Sequence, residues 1–387
     1  MDEIYLDNSA STRPHPEVIA FMGTVLDRHY GNPSSLHQKG IEAEKLLEEA
    51  RRRIASFFTG REEEIYFTSG GTEANNLAIK GAARRNRNRG HHLITSQVEH
   101  PSVLNCFRYL EQEAGFAVDY LPVDEQGLVN PEQLRALMNE NTILVSIMHV
   151  NNETGSIQPL EEIGPLIKTE NPSALFHVDA VQSFARMKLD LEAWQADMIS
   201  CSAHKIHGPR GAGCLWVKKG TLVEPLLHGG GQEKELRPGT ENVAAAGGFG
   251  LAAELTGKDR DRKAVVVDSL KLGFYRALEK SGIDFLVNGP PPEEGAAHII
   301  NLSFPGLPSE VILHSLEERG LIASAGSACH SRKPEPSHIL QALRLDQDRL
   351  YSALRFSFSF YNNEQEMELA AARVTEAIRE LNAMLRQ

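Results

Sequence analysis

The chain has 387 residues, of which 41% are hydrophobic and 24% are charged, and this balance is typical of a globular protein. Its 40 basic and 52 acidic residues give a net charge of −12, which argues against a general nucleic-acid binder and against attachment to an anionic membrane surface. No apolar run approaches the roughly 20 residues that span a bilayer. The chain is too long for one ordinary core, so we expect two domains.

The cysteines are few and widely spaced, and the acidic N-terminal segment lacks the basic and apolar regions of a secretory signal. We therefore expect free thiols in a reducing cytoplasm rather than a disulfide framework. The four cysteines are Cys106, Cys201, Cys214 and Cys329.

Short β-rich runs alternate with amphipathic segments between about residues 64 and 217. This alternation predicts an α/β domain with a mostly parallel sheet and helices on both faces. Functional residues of such sheets lie at the C-terminal ends of the strands. The predicted strands cover 64–68, 92–95, 117–121, 142–148, 174–179, 197–200 and 213–217.

The pattern turns helical over 242–281, which suggests a connection into a second domain. From about residue 284 the chain again mixes strands and helices, and we expect a smaller α+β domain there. Its predicted strands cover 284–287, 298–304 and 354–360, and its predicted helices cover 309–320 and 364–381.

A lysine follows the end of one predicted strand in the segment SAHKIHGPRGAG (202–213). Lys205 could form a Schiff base with an aldehyde cofactor from that position. The alternative is a surface lysine in a loop, and only partner residues decide between the two.

Asp179 ends another predicted strand, in the segment HVDAVQ. A buried carboxylate there is costly unless it meets a cation, and the pyridinium nitrogen of pyridoxal phosphate (PLP) is such a cation. The alternative is a helix N-cap, for which aspartate is also favoured. The sequence leaves both open.

The segment SGGTEANN (69–76) follows a strand and opens a helix, so its backbone amides and the Thr72 hydroxyl could hold a phosphate. Walker and GxGxxG patterns are absent, which weakens a nucleotide interpretation. The alternative is a capping box formed by Thr72 and Glu73.

Cys201, His204, His207 and Cys214 could in principle bind zinc, but their spacing is unlike that of known zinc motifs. Burial of the two cysteines as small hydrophobic residues is the favoured interpretation, and we expect no metal site. His100, after another strand, is either structural or placed to stack on a cofactor ring or move a proton.

Cys329 lies in the polar segment SAGSACHSRKPEPS, beside His330, Arg332 and Lys333. Basic neighbours favour the thiolate, so the segment predicts a reactive cysteine rather than a buried structural one. An unreactive surface thiol is the alternative.

Taken together, these segments resemble the cysteine desulfurases of the NifS/IscS type, and the resemblance covers nearly the whole chain. The matching motifs, in family order, are YLDNSAST, GNPSSLH, TSGGTEANNLAIKG, EHPSV, NNETG, HVDAVQ, SAHKIHGPRG, HGGGQE, RPGTEN, GSAC and EPSHIL.

The resemblance implies the aspartate aminotransferase-like fold of PLP-dependent transferases, with a large domain built on a mostly parallel seven-stranded sheet. That large PLP-binding domain would cover 15–258. The smaller α+β domain would combine 1–14 with 259–387 and carry the catalytic cysteine loop at about 326–336.

The resemblance also implies a role for each matching residue. Lys205 would bind PLP covalently, Asp179 would pair with the pyridine nitrogen, and Gln182 would hydrogen-bond the phenolic oxygen. His100 would stack on the ring and assist proton transfer, and Cys329 would be the nucleophile. The remaining roles are phosphate binding by Gly71, Thr72, Ser202 and His204, phosphate binding across a homodimer by Thr240, and substrate binding by Asn152 and Arg355. Asn152 would contact the cofactor as well.

The implied reaction converts L-cysteine to L-alanine and leaves a persulfide on Cys329 for an acceptor such as an iron–sulfur scaffold. A transient contact of Cys329 with a cluster stays open, and no resident metal is expected. A selenocysteine lyase, a class V aminotransferase and a sulfur-assembly protein without catalysis are the alternatives. The chain departs from the common family pattern at His330, at Arg210 and in the stretch FSFSFYN after Arg355, where the family is more polar.

Overall fold

The computed structural model describes residues 3–58, 60–325 and 336–385, so the predicted nucleophile Cys329 lies outside the described residues. The strands are β1 (Ile4–Tyr5), β2 (Ile65–Thr68), β3 (His92–Ser96), β4 (Ala117–Leu121), β5 (Thr142–Ser146), β6 (Leu175–Asp179), β7 (Met198–Ser202), β8 (Gly213–Val217), β9 (Leu286–Val287), β10 (Ile299–Ser303), β11 (Leu321–Ile322) and β12 (Ala353–Ser357).

The helices match most of the predicted segments. They are α1 (Pro16–Arg28), α2 (Gln38–Ala55), α3 (Gly71–Arg85), α4 (Pro101–Ala114), α5 (Pro131–Leu137), α6 (Leu160–Glu170), α7 (Leu191–Trp194), α8 (Val243–Gly257), α9 (Arg260–Ser281), α10 (Ser309–Glu318), α11 (His338–Ala342), α12 (Gln347–Ser352) and α13 (Glu364–Leu385). Among the described residues, no helix is long and apolar enough to cross a membrane.

A seven-stranded sheet forms the centre of the larger part, in the order β2-β8-β7-β6-β5-β3-β4. Strand β8 is antiparallel to both of its neighbours, and the other pairs are parallel. The prediction of a mostly parallel seven-stranded sheet is confirmed. Five of the strands are buried along their whole length, as expected for strands covered on both faces.

The two faces of this sheet carry separate apolar layers. Neighbouring residues of β7 show the alternation, because Met198 packs in one layer and Ile199 in the other. Helices α3 and α4 cover the first face, while α2, α6 and α8 cover the second. Because both faces are covered by helices, the open end of the sheet is the place where a polar site can form.

A second hydrophobic core lies among α9, α10 and α13 and two small sheets. One sheet has the order β12-β10-β9, and the other pairs β1 with β11, so the N-terminal strand packs with C-terminal elements. This agrees with the expected smaller α+β unit. The boundaries after residues 14 and 258 stay a prediction.

Two helical glycines allow a matched test of the packing. A Cβ atom on Gly164 of α6 would lie 1.7 Å from the backbone oxygen of Trp194, whereas a Cβ atom on Gly273 of α9 would meet nothing within 4 Å. We expect Gly164→Ala to lower the free energy of unfolding by about 2 kcal/mol or more, because a backbone contact cannot give way.

Gly273→Ala is the control, and it should raise the free energy of unfolding by about 0.5 kcal/mol through the better helix propensity of alanine. Urea unfolding of both variants and the wild type measures this. Equal stability of the two variants would contradict the described contact between α6 and α7.

Candidate active site

A cavity of about 470 Å³ lies at the C-terminal ends of the central strands. It brings together residues that are far apart in the chain, and ten of the twelve predicted site residues line it. Thr240 lies outside the cavity and is exposed, and Cys329 lies outside the described residues. The ten are Gly71, Thr72, His100, Asn152, Asp179, Gln182, Ser202, His204, Lys205 and Arg355.

Lys205 lies in the short 3₁₀ turn that follows β7, and its amine faces the N-terminal segment. The Nζ atom donates hydrogen bonds to the backbone oxygens of Ser9 and Ala10, the latter at 2.9 Å. Burial, together with the nearby cations Arg355 and Arg186, lowers the pKa of Lys205 to about 7. A large fraction of this amine is therefore neutral near pH 7 and able to attack an aldehyde.

Asp179 ends β6 with its carboxylate at the cavity. One oxygen accepts a hydrogen bond from Asn75 Nδ2 at 2.7 Å and the other accepts from the amide of Val181 at 2.9 Å. No helix starts at Asp179, so the N-cap alternative is wrong. No cation of the described chain forms an ion pair with this carboxylate, so it is free to pair with a cationic ring nitrogen.

Glycine begins α3 beside the cavity. The N-cap Gly70 has no side chain that could accept from the first amides of the helix. Glu73 accepts a hydrogen bond from the amide of Ser69 at 2.5 Å, and Thr72 caps no amide of the helix. The alternative of a capping box formed by Thr72 and Glu73 is therefore wrong. A Cβ atom on Gly71 would lie 2.7 Å from Val181 Cγ2. The space beside these free amides suits an anion at a helix N-terminus.

His100 is the N-cap of α4, and its Nδ1 accepts from the amide of Ser102 at 3.1 Å. In the neutral ring, Nε2 therefore carries the proton. Burial lowers the pKa of His100, and the nearby charge of Asp179 opposes that shift. Burial also lowers the pKa of His204 to about 4. Both rings are thus biased toward the neutral form.

Arg355, in β12, is 4% exposed and reaches the cavity from the second core. Its Nη2 donates to Asp7 Oδ1 at 2.7 Å, and its Nη1 donates to the backbone oxygen of Asn152 at 2.9 Å. The Nε atom has no partner among the described residues. Asp7 was missed from the sequence, although it lies in the quoted motif YLDNSAST.

Unpartnered polar atoms cluster around this cavity. Each is buried and lacks a hydrogen-bond partner within the described part of the chain, which is costly unless a polar ligand supplies one. This pattern fits the phosphate, pyridine and phenolic groups of PLP. The atoms are Ser9 Oγ, Asn75 Oδ1, Asn152 Oδ1, Gln182 Oε1, Ser202 Oγ and Arg355 Nε.

The side chains of the alternative zinc cluster have other partners. Cys201 and Cys214 face each other in register between β7 and β8, and both are fully buried. His207 donates from Nδ1 to the backbone oxygen of Arg13 at 2.9 Å. His204 lines the cavity described above. The two cysteines therefore serve packing, as the sequence suggested.

Glu99 is a second residue near the cavity that no sequence pattern indicated. It is fully buried next to His100, and its Oε1 accepts from Ser96 Oγ at 2.7 Å and from the amide of Met148 at 2.8 Å. Burial raises the pKa of Glu99 to about 8, and the charge of Asp179 adds to the shift. Glu99 is therefore largely protonated and neutral at pH 7. It adjoins His100 in the chain but does not line the cavity.

Comparisons with known proteins identify the family of this chain. The profile of the aminotransferase class-V family matches residues 4–369. The putative cysteine desulfurase IscS 1 of Bacillus subtilis is 41% identical, over 98% of this chain and 100% of its own length. The cysteine desulfurase IscS of Dictyoglomus turgidum is also 41% identical, over 94% of this chain and 92% of its own.

Solved structures give the same result. A NifS-like protein superposes with a TM-score of 0.90 and 36% identity, covering 97% of this chain and 98% of its own. A structure described as SspA in complex with cysteine has a TM-score of 0.81 and 34% identity, covering 93% of this chain and 99% of its own.

The chain therefore belongs to the class-V aminotransferase family, whose fold is that of the PLP-dependent transferases. Within that family it is a member of the IscS/NifS group of cysteine desulfurases. Membership implies dependence on PLP, which fits the unpartnered polar atoms of the cavity.

The lowered pKa of Lys205 can be measured directly. We expect acylation of Lys205 by acetic anhydride, in protein freed of cofactor, to rise with a midpoint near pH 7, because only the neutral amine reacts. Peptide mass spectrometry across a pH series reads this out. Exposed Lys188, whose pKa is raised by Asp190, is the internal control and should react only at much higher pH. Equal midpoints would contradict the proposed environment of Lys205.

The raised pKa of Glu99 predicts a pH-dependent stability. The folded state keeps the proton between the ordinary carboxyl value and about 8, while the unfolded chain loses it, so this contribution to stability falls as the pH rises through that window. Relative to Glu99→Gln, the wild type should lose on the order of 3 kcal/mol, and several degrees of Tm, from about pH 5 to about pH 8. Parallel Tm curves for the two proteins would contradict a buried neutral Glu99.

Proposed function

We propose that this protein removes sulfur from L-cysteine, releasing L-alanine and leaving a persulfide on Cys329. The observation that carries the proposal is the cavity that joins the amine of Lys205, the unpaired carboxylate of Asp179 and the guanidinium of Arg355. A reactive amine, a partner for a ring nitrogen and a partner for a substrate carboxylate are what this chemistry needs.

We assign the cofactor contacts as the family resemblance implies them. When bound, PLP supplies an electron sink that lets the Cα proton of an amino acid leave. Lys205 would hold it covalently, Asp179 would face its ring nitrogen and Gln182 its phenolic oxygen. His100 would lie against the ring. The phosphate would lie at Gly71, Thr72, Ser202 and His204, where free amides and the unpartnered Ser202 Oγ support the assignment.

Arg355 and Asn152 would orient the substrate. The Nε of Arg355 and the Oδ1 of Asn152 are buried at the cavity without partners in the described chain. A carboxylate can accept from a guanidinium through two parallel hydrogen bonds, which fixes its orientation as well as its position. Asp7 already accepts a hydrogen bond from Nη2 of this guanidinium, so the substrate would bind at the edge that carries Nε.

Two neutral bases are available to move protons in this cavity. The Nζ of Lys205, once released from the cofactor, would accept the Cα proton of the substrate. The neutral ring of His100 would take up a proton and then donate it in a second transfer. The lowered pKa values of Lys205 and His100 support this division, because both groups are largely neutral before the reaction.

The thiolate of Cys329 would then attack the sulfur of the substrate. A sulfur–sulfur bond forms as the carbon–sulfur bond breaks, and the electron pair stays with the three-carbon product, which takes up a proton and leaves as alanine. The structure of the relative in complex with cysteine supports this substrate class. The persulfide would pass to an acceptor protein, for which an iron–sulfur scaffold is our proposal, as the family resemblance implies.

We further propose a homodimer in which Thr240 reaches the cofactor phosphate of the neighbouring subunit. Thr240 is exposed and does not line the cavity of its own chain. We place the protein in the cytoplasm, and the free thiols of the facing pair Cys201 and Cys214 support a reducing compartment.

Single turnover with L-cysteine tests the proposed function. Wild type should form alanine and a protein-bound persulfide in equal amounts, while Cys329→Ser should form no persulfide and lose alanine formation by about 100-fold or more, because the nucleophile is gone. Rapid-quench amino-acid analysis and persulfide labelling measure the two products.

Cys106→Ala is the matched control, since Cys106 is buried and burial raises the pKa of its thiol to about 11. It should behave as wild type. If Cys329→Ser releases alanine as fast as wild type, the desulfurase mechanism through Cys329 is wrong, and a lyase that needs no thiol takes its place.

A further inference from the structure

A second cavity, of about 170 Å³, lies where the two hydrophobic cores approach each other. It shares no lining residue with the active-site cavity. Thr256 of α8 borders it from the larger part, and Val267 and Phe358 border it from the second core. Nothing in the proposed reaction uses this space.

Nitrogen-bearing side chains line part of this second cavity, and burial keeps the His298 ring among them neutral by lowering its pKa. Arg186 Nη1 and His298 Nε2 are buried and have no hydrogen-bond partner in the described part of the chain. Lys263 also lines the cavity. None of the described residues that line it is acidic, and Asp259 is the acidic residue that acts on Lys263 from outside the lining. Burial lowers the pKa of Arg186 only to about 10, so its guanidinium stays charged at neutral pH.

The other walls of the second cavity are apolar. Met187, Val267, Phe358 and Phe360 contribute them, and Lys263 Nζ lies 4.9 Å from the centre of the Phe360 ring. Phe360 belongs to the stretch FSFSFYN, where this chain departs from the more polar family pattern. A partly enclosed space with apolar walls and the unpartnered, charged Arg186 Nη1 suits a ligand that is apolar at one end and anionic at the other.

We propose that the second cavity binds a small organic anion, a carboxylate carried on a short apolar or aromatic body. The carboxylate would accept hydrogen bonds from Arg186 Nη1 and from Lys263, and the body would lie against Met187 and Phe360. Charge-assisted hydrogen bonds in a buried site discriminate strongly between a carboxylate and a neutral amide of the same shape.

The second cavity is also connected to the active site. Arg186 donates from Nη2 to the backbone oxygen of Lys205, so one guanidinium contacts both the proposed anion and the turn that presents the reactive amine. A bound anion would neutralise a cation that lies near Lys205. Occupancy would therefore alter the cofactor environment as well as the stability of the protein.

Isothermal titration of the PLP-loaded protein with benzoate, and with benzamide as the neutral probe, tests this proposal. We expect benzoate to bind and benzamide not to bind. Lys263→Gln should weaken benzoate binding about 10-fold, because it removes the charge while keeping most of the side-chain length. Ala264→Phe, which places a ring in the cavity, should abolish binding while alanine formation from L-cysteine continues.

Arg355→Gln separates this site from the substrate site. Benzoate binding that survives Arg355→Gln and is lost in Ala264→Phe supports the second cavity. Binding that is lost only in Arg355→Gln, or that is unchanged in Lys263→Gln, overturns the proposal. No heat from wild type at about 10 mM benzoate overturns it as well. If Ala264→Phe does not fold, the Lys263→Gln and Arg355→Gln titrations decide alone.

Discussion

The buried guanidinium of Arg355 connects the parts of the molecule on which the active site depends. It extends from β12 of the second core and donates both to Asp7 and to the backbone of Asn152, which follows β5 of the central sheet. A charge that is 4% exposed must be paired, and Asp7 supplies that pair. The N-terminal segment, the second core and the central sheet therefore meet at one cation. A substrate carboxylate would bind to Arg355, whose position is already fixed by its hydrogen bonds to Asp7 and Asn152.

Burial then determines how the titratable groups around that cation divide their roles. Removing Lys205 from water lowers its pKa to about 7, and the positive charges of Arg355 and Arg186 act in the same direction. The same burial raises the pKa of Glu99 to about 8, which keeps that carboxyl neutral behind His100. Asp179 accepts hydrogen bonds from Asn75 and from a backbone amide. One carboxylate beside the cavity thus stays available for a cationic ring, while the amine beside it becomes a nucleophile.

The sequence predicted the polar residues that follow buried strands. It did not predict the residues that contact and position those site residues. Lys205 and Asp179 could be recognised because a polar side chain after an apolar run lies at the functional edge of a parallel sheet. Asn75 and Glu99 gave no such signal, because a polar residue within a helix or loop is ordinarily exposed. Asp7 was quoted in a motif but not singled out, since its partner Arg355 is 348 residues away. The sheet and its strand pattern followed from periodicity alone, while these pairings needed the packed chain.

The second cavity could not be predicted from the sequence either. Its walls come from a turn at Arg186, from α9 and from the segment after β12, so no local pattern could reveal it. Lys263, near the start of α9, also donates to the backbone oxygen of Leu255 near the end of α8, where the chain passes from the first core to the second. A ligand bound to Lys263 and Arg186 would therefore contact two residues that are themselves bonded elsewhere. Lys263 bonds to the end of α8, and Arg186 bonds to the turn at Lys205. A ligand shifts a conformational equilibrium only if it binds one conformation more tightly than the other. A site between the two hydrophobic cores can meet this condition, because its shape depends on how the two cores are arranged.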